Sequence, residues 1–268
     1  RQPSRLCTLS GKCSIAVSRR RPDGDGGISV PMKPAPEAPH DHEVPIVSVE
    51  SPEGQVRGVL FSYACHPTGM GGYLIGGDYV AYACDHLEES IPGITACFLQ
   101  GCAGDQKLYA DDPEGFPYLT PEGLAGKGRS LGEAVVQALA DDPGCFVTGK
   151  LAYASQAIDL VTEVLPPEKV RPFLKASEAG LRAWAEYYLE ARHVDKLSRT
   201  CVPLEIQTLR IGHSLALIGV AAELTVEHGL RLKRELGKHF ACVMPRGYCN
   251  DLIGYVLVRR QIAEGGYE

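Results

Sequence analysis

From Val44 onward the chain alternates apolar runs with short breaks rich in Gly, Pro and polar residues. Val44 to Glu50 and Val56 to Ala64 are β-prone runs separated by Ser51-Pro-Glu-Gly-Gln55, which predicts a β-hairpin ending at Cys65-His66-Pro67. After the Gly-rich stretch from Gly69 to Gly77, Asp78 is placed to cap a helix running to about Ser90. Ile94 to Gln100 reads as a buried strand that stops at Gly101-Cys-Ala-Gly-Asp105.

A second helix has a clear start, with Thr120 as cap and Pro121 in the first position. Its apolar stripe is Leu124, Leu131, Val135 and Leu139, and Asp141-Asp-Pro-Gly144 ends it. Phe146 to Leu160 reads as a strand pair or one long bent strand. Pro166-Pro167 then opens a long helical segment with Leu174, Leu181, Trp184, Tyr188 and Ala191 on one side, expected to cover the core. Val202 to Ile211 and Ser214 to Val220 form a second hairpin about Gly212-His213. Glu223 falls where that strand ends, an amphipathic helix spans Thr225 to Leu236, and Phe240 to Met244 is a last strand. Hairpins mixed with helices predict an α/β layered domain with a mixed, largely antiparallel sheet and flanking helices. Residues 1–43, rich in Arg, Pro and Gly, read as an extended segment without packed elements.

The 268 residues are 44% hydrophobic and 22% charged, which suits one domain over residues 1–268 with a sizeable core. A net charge of −6 argues against binding a phosphate backbone, and no apolar run is long enough for a membrane helix. Neither GxGxxG nor GxxxxGK[ST] follows a strand, so no nucleotide cradle is announced. The ten cysteines, among them Cys84 and Cys97 inside apolar runs, lack CxxC spacing and read as buried free thiols.

The chemistry is expected at strand ends. His66 precedes a proline that stiffens its backbone, and Glu223 closes an apolar run where a carboxylate needs a partner. A structural histidine and a solvent-facing helix-start glutamate are the plainer alternatives. His40-Asp41-His42 is expected in a solvated loop, and the His86/Glu89 and Glu227/His228 pairs on polar helix faces. A GxSxG elbow is absent, and Cys65 and His66 face opposite sides of a strand, which disfavours them as nucleophile and base.

Together these ends resemble a known family. Val59-Leu-Phe-Ser-Tyr-Ala-Cys-His-Pro-Thr-Gly-Met70 resembles the strand and HPTSM segment of the neutral/alkaline non-lysosomal ceramidases, and Leu74-Ile-Gly-Gly-Asp78 their LISSD segment. Phe98-Leu-Gln-Gly-Cys-Ala-Gly-Asp105 is similar to their Gly-Asp turn. Val220-Ala-Ala-Glu223, Asn250 to Tyr255 and Gly266-Tyr-Glu268 are similar to later segments of their catalytic domain. The similarity runs with gaps from about Cys13 to Glu268, nearest to ceramidase-like bacterial proteins of undefined substrate.

The resemblance implies a zinc-dependent amidohydrolase of small-molecule or lipid amides, secreted or periplasmic, with Zn²⁺ held by two His, one Glu and one Tyr. Carried over by position, the metal ligands are His66, Glu223 and Tyr255, and the substrate-binding residues are Tyr267, Arg19, Gly104 and Asp105. The family's first zinc histidine sits in a His-x-His segment before the matched region, so the resemblance implies a chain starting downstream of it. True ceramidases also carry a serine three residues after the glycine of the Gly-Asp turn, and here that position is Lys107.

Three readings follow. The first is a zinc hydrolase of amide or ester bonds using metal-activated water. The second is a catalytically silent binding or scaffold domain on the same fold, motivated by Lys107 and the incomplete ligand set. The third is a metal-free cysteine hydrolase.

Overall fold

A computed structural model describes residues 3–141, 143–193 and 201–268, with the backbone alone at residues 192 and 193. The chain divides into two compact units, one of residues 1–155 with 206–268 and one of residues 156–205.

The first unit begins with β1 (Arg5–Lys12) and β2 (Ala16–Ser18), inside the stretch expected to be an extended loop. β1 is no loop: it pairs antiparallel along its whole length with β3 (Glu43–Glu50). The Arg and Pro content that suggested otherwise is concentrated beyond Ser18, while Cys7, Leu9, Cys13 and Ile15 supply buried apolar positions. The predicted hairpin is present as β3 and β4 (Val56–Tyr63). Helix α1 (Asp78–Ser90) follows, then β5 (Thr95–Gln100), which pairs parallel with β4. β6 (Gln106–Leu108) pairs with β2, and α2 (Pro121–Asp141) and β7 (Cys145–Phe146) complete this half.

The five-stranded sheet has the order β5-β4-β3-β1-β7. Val44, Ile46, Val59, Phe61 and Tyr63 point from one face into a core shared with Tyr79, Ala83 and Leu87 of α1 and Leu124, Leu131 and Val135 of α2. The neighbours Val47 and Leu60 point the other way, into a second core with Leu215, Leu217, Cys242 and Met244. Both faces of β3 and β4 are covered, which is why these strands read as nearly continuous apolar runs. β5 lies at the sheet edge with Thr95 and Cys97 exposed and its other residues only partly buried, so the expectation of a buried strand is corrected.

Thr120 caps α2 as predicted, its Oγ1 accepting the Gly123 amide at 3.2 Å. At α1 the expected cap differs: Gly77 is the capping residue, and Asp78 sits inside the helix with φ of 54°. The carboxylate of Asp78 accepts from the amides of Met70 and Tyr79, both at 2.8 Å, and so pins the preceding loop.

β8 (Leu151–Val161) and β9 (Cys201–Ile211) join β10 (Leu215–Val220) and β12 (Cys242–Arg246) in a sheet of order β12-β10-β9-β8. β10 is antiparallel to β9 and parallel to β12. Between them lie β11 (Glu223–Leu224) and α5 (Val226–Leu236), and the chain ends with β13 (Tyr255–Val256), parallel to β11, and α6 (Arg259–Glu264). The result is the expected mixed, largely antiparallel α/β layering.

In the second unit, the expected long helix is broken. α3 (Pro167–Val170) passes into a 3₁₀ turn at Arg171–Lys175, the backbone becomes extended at Ala176, and α4 (Ala179–His193) begins afresh. Pro172 removes an amide at the junction, and Arg182 Nη1 binds the Ala176 carbonyl at 2.6 Å across the break. Phe173, Trp184 and Tyr188 form an aromatic cluster with ring centroids 5.6 and 5.5 Å apart.

Among the described residues, no helix is long and apolar enough to cross a membrane.

Candidate metal centre

Four strands deliver the site, each from its C-terminal end. β4 leads to His66, β5 to the Gly101–Asp105 turn, β10 to Glu223, and β12 to Tyr248. Because β4 is parallel to β5 and β10 to β12, each sheet offers two neighbouring ends on one side. The Gly104 amide donates to the Leu224 carbonyl at 2.8 Å and ties the two sets together. A Cβ on Gly104 would stand 2.9 Å from the Leu224 backbone and 3.0 Å from the Glu223 carbonyl oxygen, so only glycine permits this approach.

His66 is buried. Its Nδ1 faces the Gln106 carbonyl at 3.1 Å, and its Nε2 lies 3.1 Å from Glu223 Oε2. Tyr248 Oη stands 2.8 Å from the same Nε2 and donates to Oε2 at 2.7 Å. Burial, aided by the Arg19 charge, lowers the His66 pKa despite the opposing pull of Glu223 and the Gln106 carbonyl. Burial alone would raise the Glu223 carboxyl, but interactions with Tyr248, His66 and Tyr255 together bring it below the usual range. Burial and Glu223 push the Tyr248 phenol well above its ordinary value.

This arrangement is short of protons. A neutral His66 that gives Nδ1–H to Gln106 leaves Nε2 bare, so Nε2 and Oε2 are two acceptors sharing the one proton of Tyr248. A histidine nitrogen, a carboxylate oxygen and a phenol oxygen converging with one proton among them suit a divalent cation such as Zn²⁺. The carbonyl behind Nδ1 is the support that metal-binding histidines commonly have. Among the described residues no three of His, Cys, Asp and Glu gather at one point, so a tyrosine is needed to complete such a set.

Tyr255 enters from β13, directly paired with Glu223, with its ring centroid 6.5 Å from that of His66. Arg19 lies beneath, its guanidinium 5.4 Å from the Tyr255 ring centre and 4.9 Å from that of Tyr267. Glu268 Oε1 accepts from Arg19 Nε at 2.8 Å, and the Gly104 carbonyl accepts from Arg19 Nη2 at 2.7 Å. Tyr267 stands at the rim, 58% exposed.

The structure thus brings His66, Glu223, Tyr255, Arg19, Tyr267 and Gly104 together. Asp105 is the exception among the expected substrate contacts. It is buried, and its carboxylate accepts from the Val226 amide at 2.8 Å and from Gln261 Nε2 at 3.1 Å, which holds the start of α5. Lys107 reaches Thr68 Oγ1 at 3.1 Å, close behind His66 in the chain.

Tyr248 and Glu268 carry interactions that the sequence did not single out. Tyr248 has a φ of 58° and is aimed by the Gly247 turn just beyond β12, a placement that depends on the β10–β12 pairing and not on any local motif. His42 meets the Ala16 carbonyl at 3.0 Å and His40 stacks on it at 4.0 Å, so that pair belongs elsewhere. A surface cavity of about 590 Å³ beside Arg20, Arg21 and Arg260 includes none of His66, Glu223 or Tyr248 in its wall. The most deeply buried thiols are poor nucleophiles: burial pushes Cys102 and Cys242 up to about 12, and Cys65 is fully buried with its thiol raised further. The expectation of ten buried thiols is corrected at Cys97 and Cys145, which are exposed.

No protein-family model matches the chain, and no curated protein does. Solved structures do. The neutral ceramidase of Pseudomonas aeruginosa is 20% identical with a TM-score of 0.70, the match covering 100% of this chain and 48% of that one. A ceramidase complexed with C2 is 19% identical with a TM-score of 0.69, covering 100% of this chain and 50% of that one. The chain spans about half the length of these structures, and over its whole length it has a ceramidase-like fold.

Proposed function

We propose that this domain is a zinc-dependent hydrolase of amide or ester bonds, similar in chemistry to neutral ceramidase. The observation that carries the reading is the proton-poor contact of His66 Nε2, Glu223 Oε2 and Tyr248 Oη on a ceramidase-like fold. His66, Glu223 and Tyr255 would hold the metal, with Tyr248 beside them as a second phenol. Bound zinc supplies a water acidic enough, with a pKa of about 7, to give a nucleophile at neutral pH.

The chain's own residues do the rest. Gln106 fixes the His66 ring so that Nε2 faces the centre. Tyr248 holds Glu223 through a short hydrogen bond and keeps that carboxylate from turning away. Arg19, restrained by Glu268 and the Gly104 carbonyl, places a fixed positive charge under Tyr255 and Tyr267. In this reading the Tyr267 hydroxyl donates to the oxygen that becomes negative as the carbonyl is attacked, and the Arg19 field strengthens that donation.

The test is hydrolysis of N-acyl amides and short-chain acyl esters by the purified protein. Turnover abolished by a chelator and restored by zinc supports the reading. Turnover indifferent to the chelator refutes it. A second reading, a silent binding domain, is favoured by one observation: a single histidine reaches the centre among the described residues. Folding and ligand binding with no turnover in zinc would establish that alternative.

A further inference from the structure

Lys107 holds the place where ceramidases carry a serine, and its surroundings say what a lysine does there. β6 alternates, with Gln106 and Leu108 buried and Lys107 turned to the opposite side. Val17 and Lys107 face each other in the β2–β6 ladder, which the Arg19 amide continues by donating to the Asp105 carbonyl at 2.9 Å. Arg19 and Lys107 are therefore diagonal neighbours on one face of this ribbon. Gln106, the residue before Lys107, gives its carbonyl to both the amide and Nδ1 of His66, each at 3.1 Å. Lys107 thus directly follows the residue whose carbonyl supports His66.

It lacks an acid. Its contacts are Thr68 Oγ1 at 3.1 Å and the Phe116 ring at 5.6 Å, and among the described residues no carboxylate pairs with it. Asp78, whose field reaches it, already has both oxygens on amides. Arg19 is balanced by Glu268, whereas Lys107 is half-buried and unbalanced. Burial and the Arg19 charge both lower its pKa, and an anion arriving there would offset both.

We infer that the substrate of this site is an acyl amide whose amine portion carries a carboxylate, and that Lys107 supplies the carboxylate's binding pocket, the Arg19 charge being already matched by Glu268. The inference rests on the hydrolase reading for the word substrate, but its recognition is testable by binding alone.

The probes are N-lauroylglycine and N-lauroylethanolamine, which share the acyl chain and amide and differ in whether a carboxylate follows. Calorimetric titration of the wild type in the presence of a chelator, so that neither probe is turned over, is expected to show roughly tenfold or more tighter binding of the glycine conjugate. Lys107→Met should collapse that ratio toward one, while Lys107→Arg keeps most of it. Equal affinity of the two probes for the wild type, or the same ratio in Lys107→Met, overturns the inference. So does lauric acid binding as tightly as N-lauroylglycine with the same dependence on Lys107, because the lysine would then read the product acid. The wild-type ratio stands as a test even if a variant fails to fold. Preference for N-lauroylglycine without its hydrolysis once zinc is supplied would sink the hydrolase reading and leave the carboxylate pocket in place.

Discussion

Nε2 of His66 and Oε2 of Glu223 stand 3.1 Å apart although 157 positions separate them in the chain. The two residues follow strands of different sheets, β4 and β10, with the Gln106 carbonyl behind the imidazole and the Tyr248 hydroxyl on the carboxylate. This contact is what a bound cation would stabilise, and several consequences can be measured.

Tyr248 supplies the one proton shared across the contact. Tyr248→Phe is expected to weaken zinc binding by roughly 10 to 100-fold, the usual size for a residue that supports a ligand. Competitive titration against a chelator would read it. Unchanged affinity would remove Tyr248 from the centre.

Glu268 is almost wholly buried between Arg19 and Arg20. Glu268→Gln leaves the buried Arg19 without a counter-charge and Arg20 with Glu264 alone, and is expected to cost about 3 kcal/mol in urea unfolding. A loss below about 1 kcal/mol would mean that water or other acceptors replace the carboxylate easily.

Gly104→Ala forces a methyl group against the backbone of Leu224 and Glu223. The backbone must shift, at an expected cost of about 2 kcal/mol, and the shift moves Glu223. Stability and zinc affinity should fall together. Lower stability with intact zinc affinity would show that Glu223 is held independently of the Gly104 contact.

Acid should weaken the zinc-free fold through His66. Its folded pKa lies below the unfolded value of about 6.5, so the unfolded chain takes up the proton first. The stability it contributes is full above that value and is lost as pH falls through the folded pKa. His42 is shifted the same way, chiefly by burial, so the comparison needs His66→Gln. With a chelator present, the fall in Tm between pH 7.5 and 5.5 should be smaller in His66→Gln than in wild type, and equal slopes would contradict the assignment.

Much of this was legible where local pattern and tertiary environment agree. The β3–β4 hairpin, α2 with its Thr120 cap, the β9–β10 hairpin and α5 follow from periodicity and capping chemistry. β1 was hidden because its short apolar run borders the Arg- and Pro-rich residues after Ser18, and its pairing partner β3 lies some thirty residues on. The break at Ala176 turns on Pro172 and a contact from Arg182, which an apolar stripe does not reveal. Among site residues, His66 and Glu223 were visible as polar groups closing apolar strands. Asp105 resembled a site residue by motif, yet its carboxylate is taken by α5 and Gln261. Tyr248 and Glu268 depend on strand order and on a contact spanning most of the chain, neither of which leaves a local mark.

The most direct measurement is the zinc content of the purified protein by elemental analysis, beside His66→Ala and Glu223→Gln. The expected result is about one zinc per chain in the wild type and near none in either variant, each still folded by circular dichroism. Zinc retained undiminished in folded His66→Ala would contradict the account.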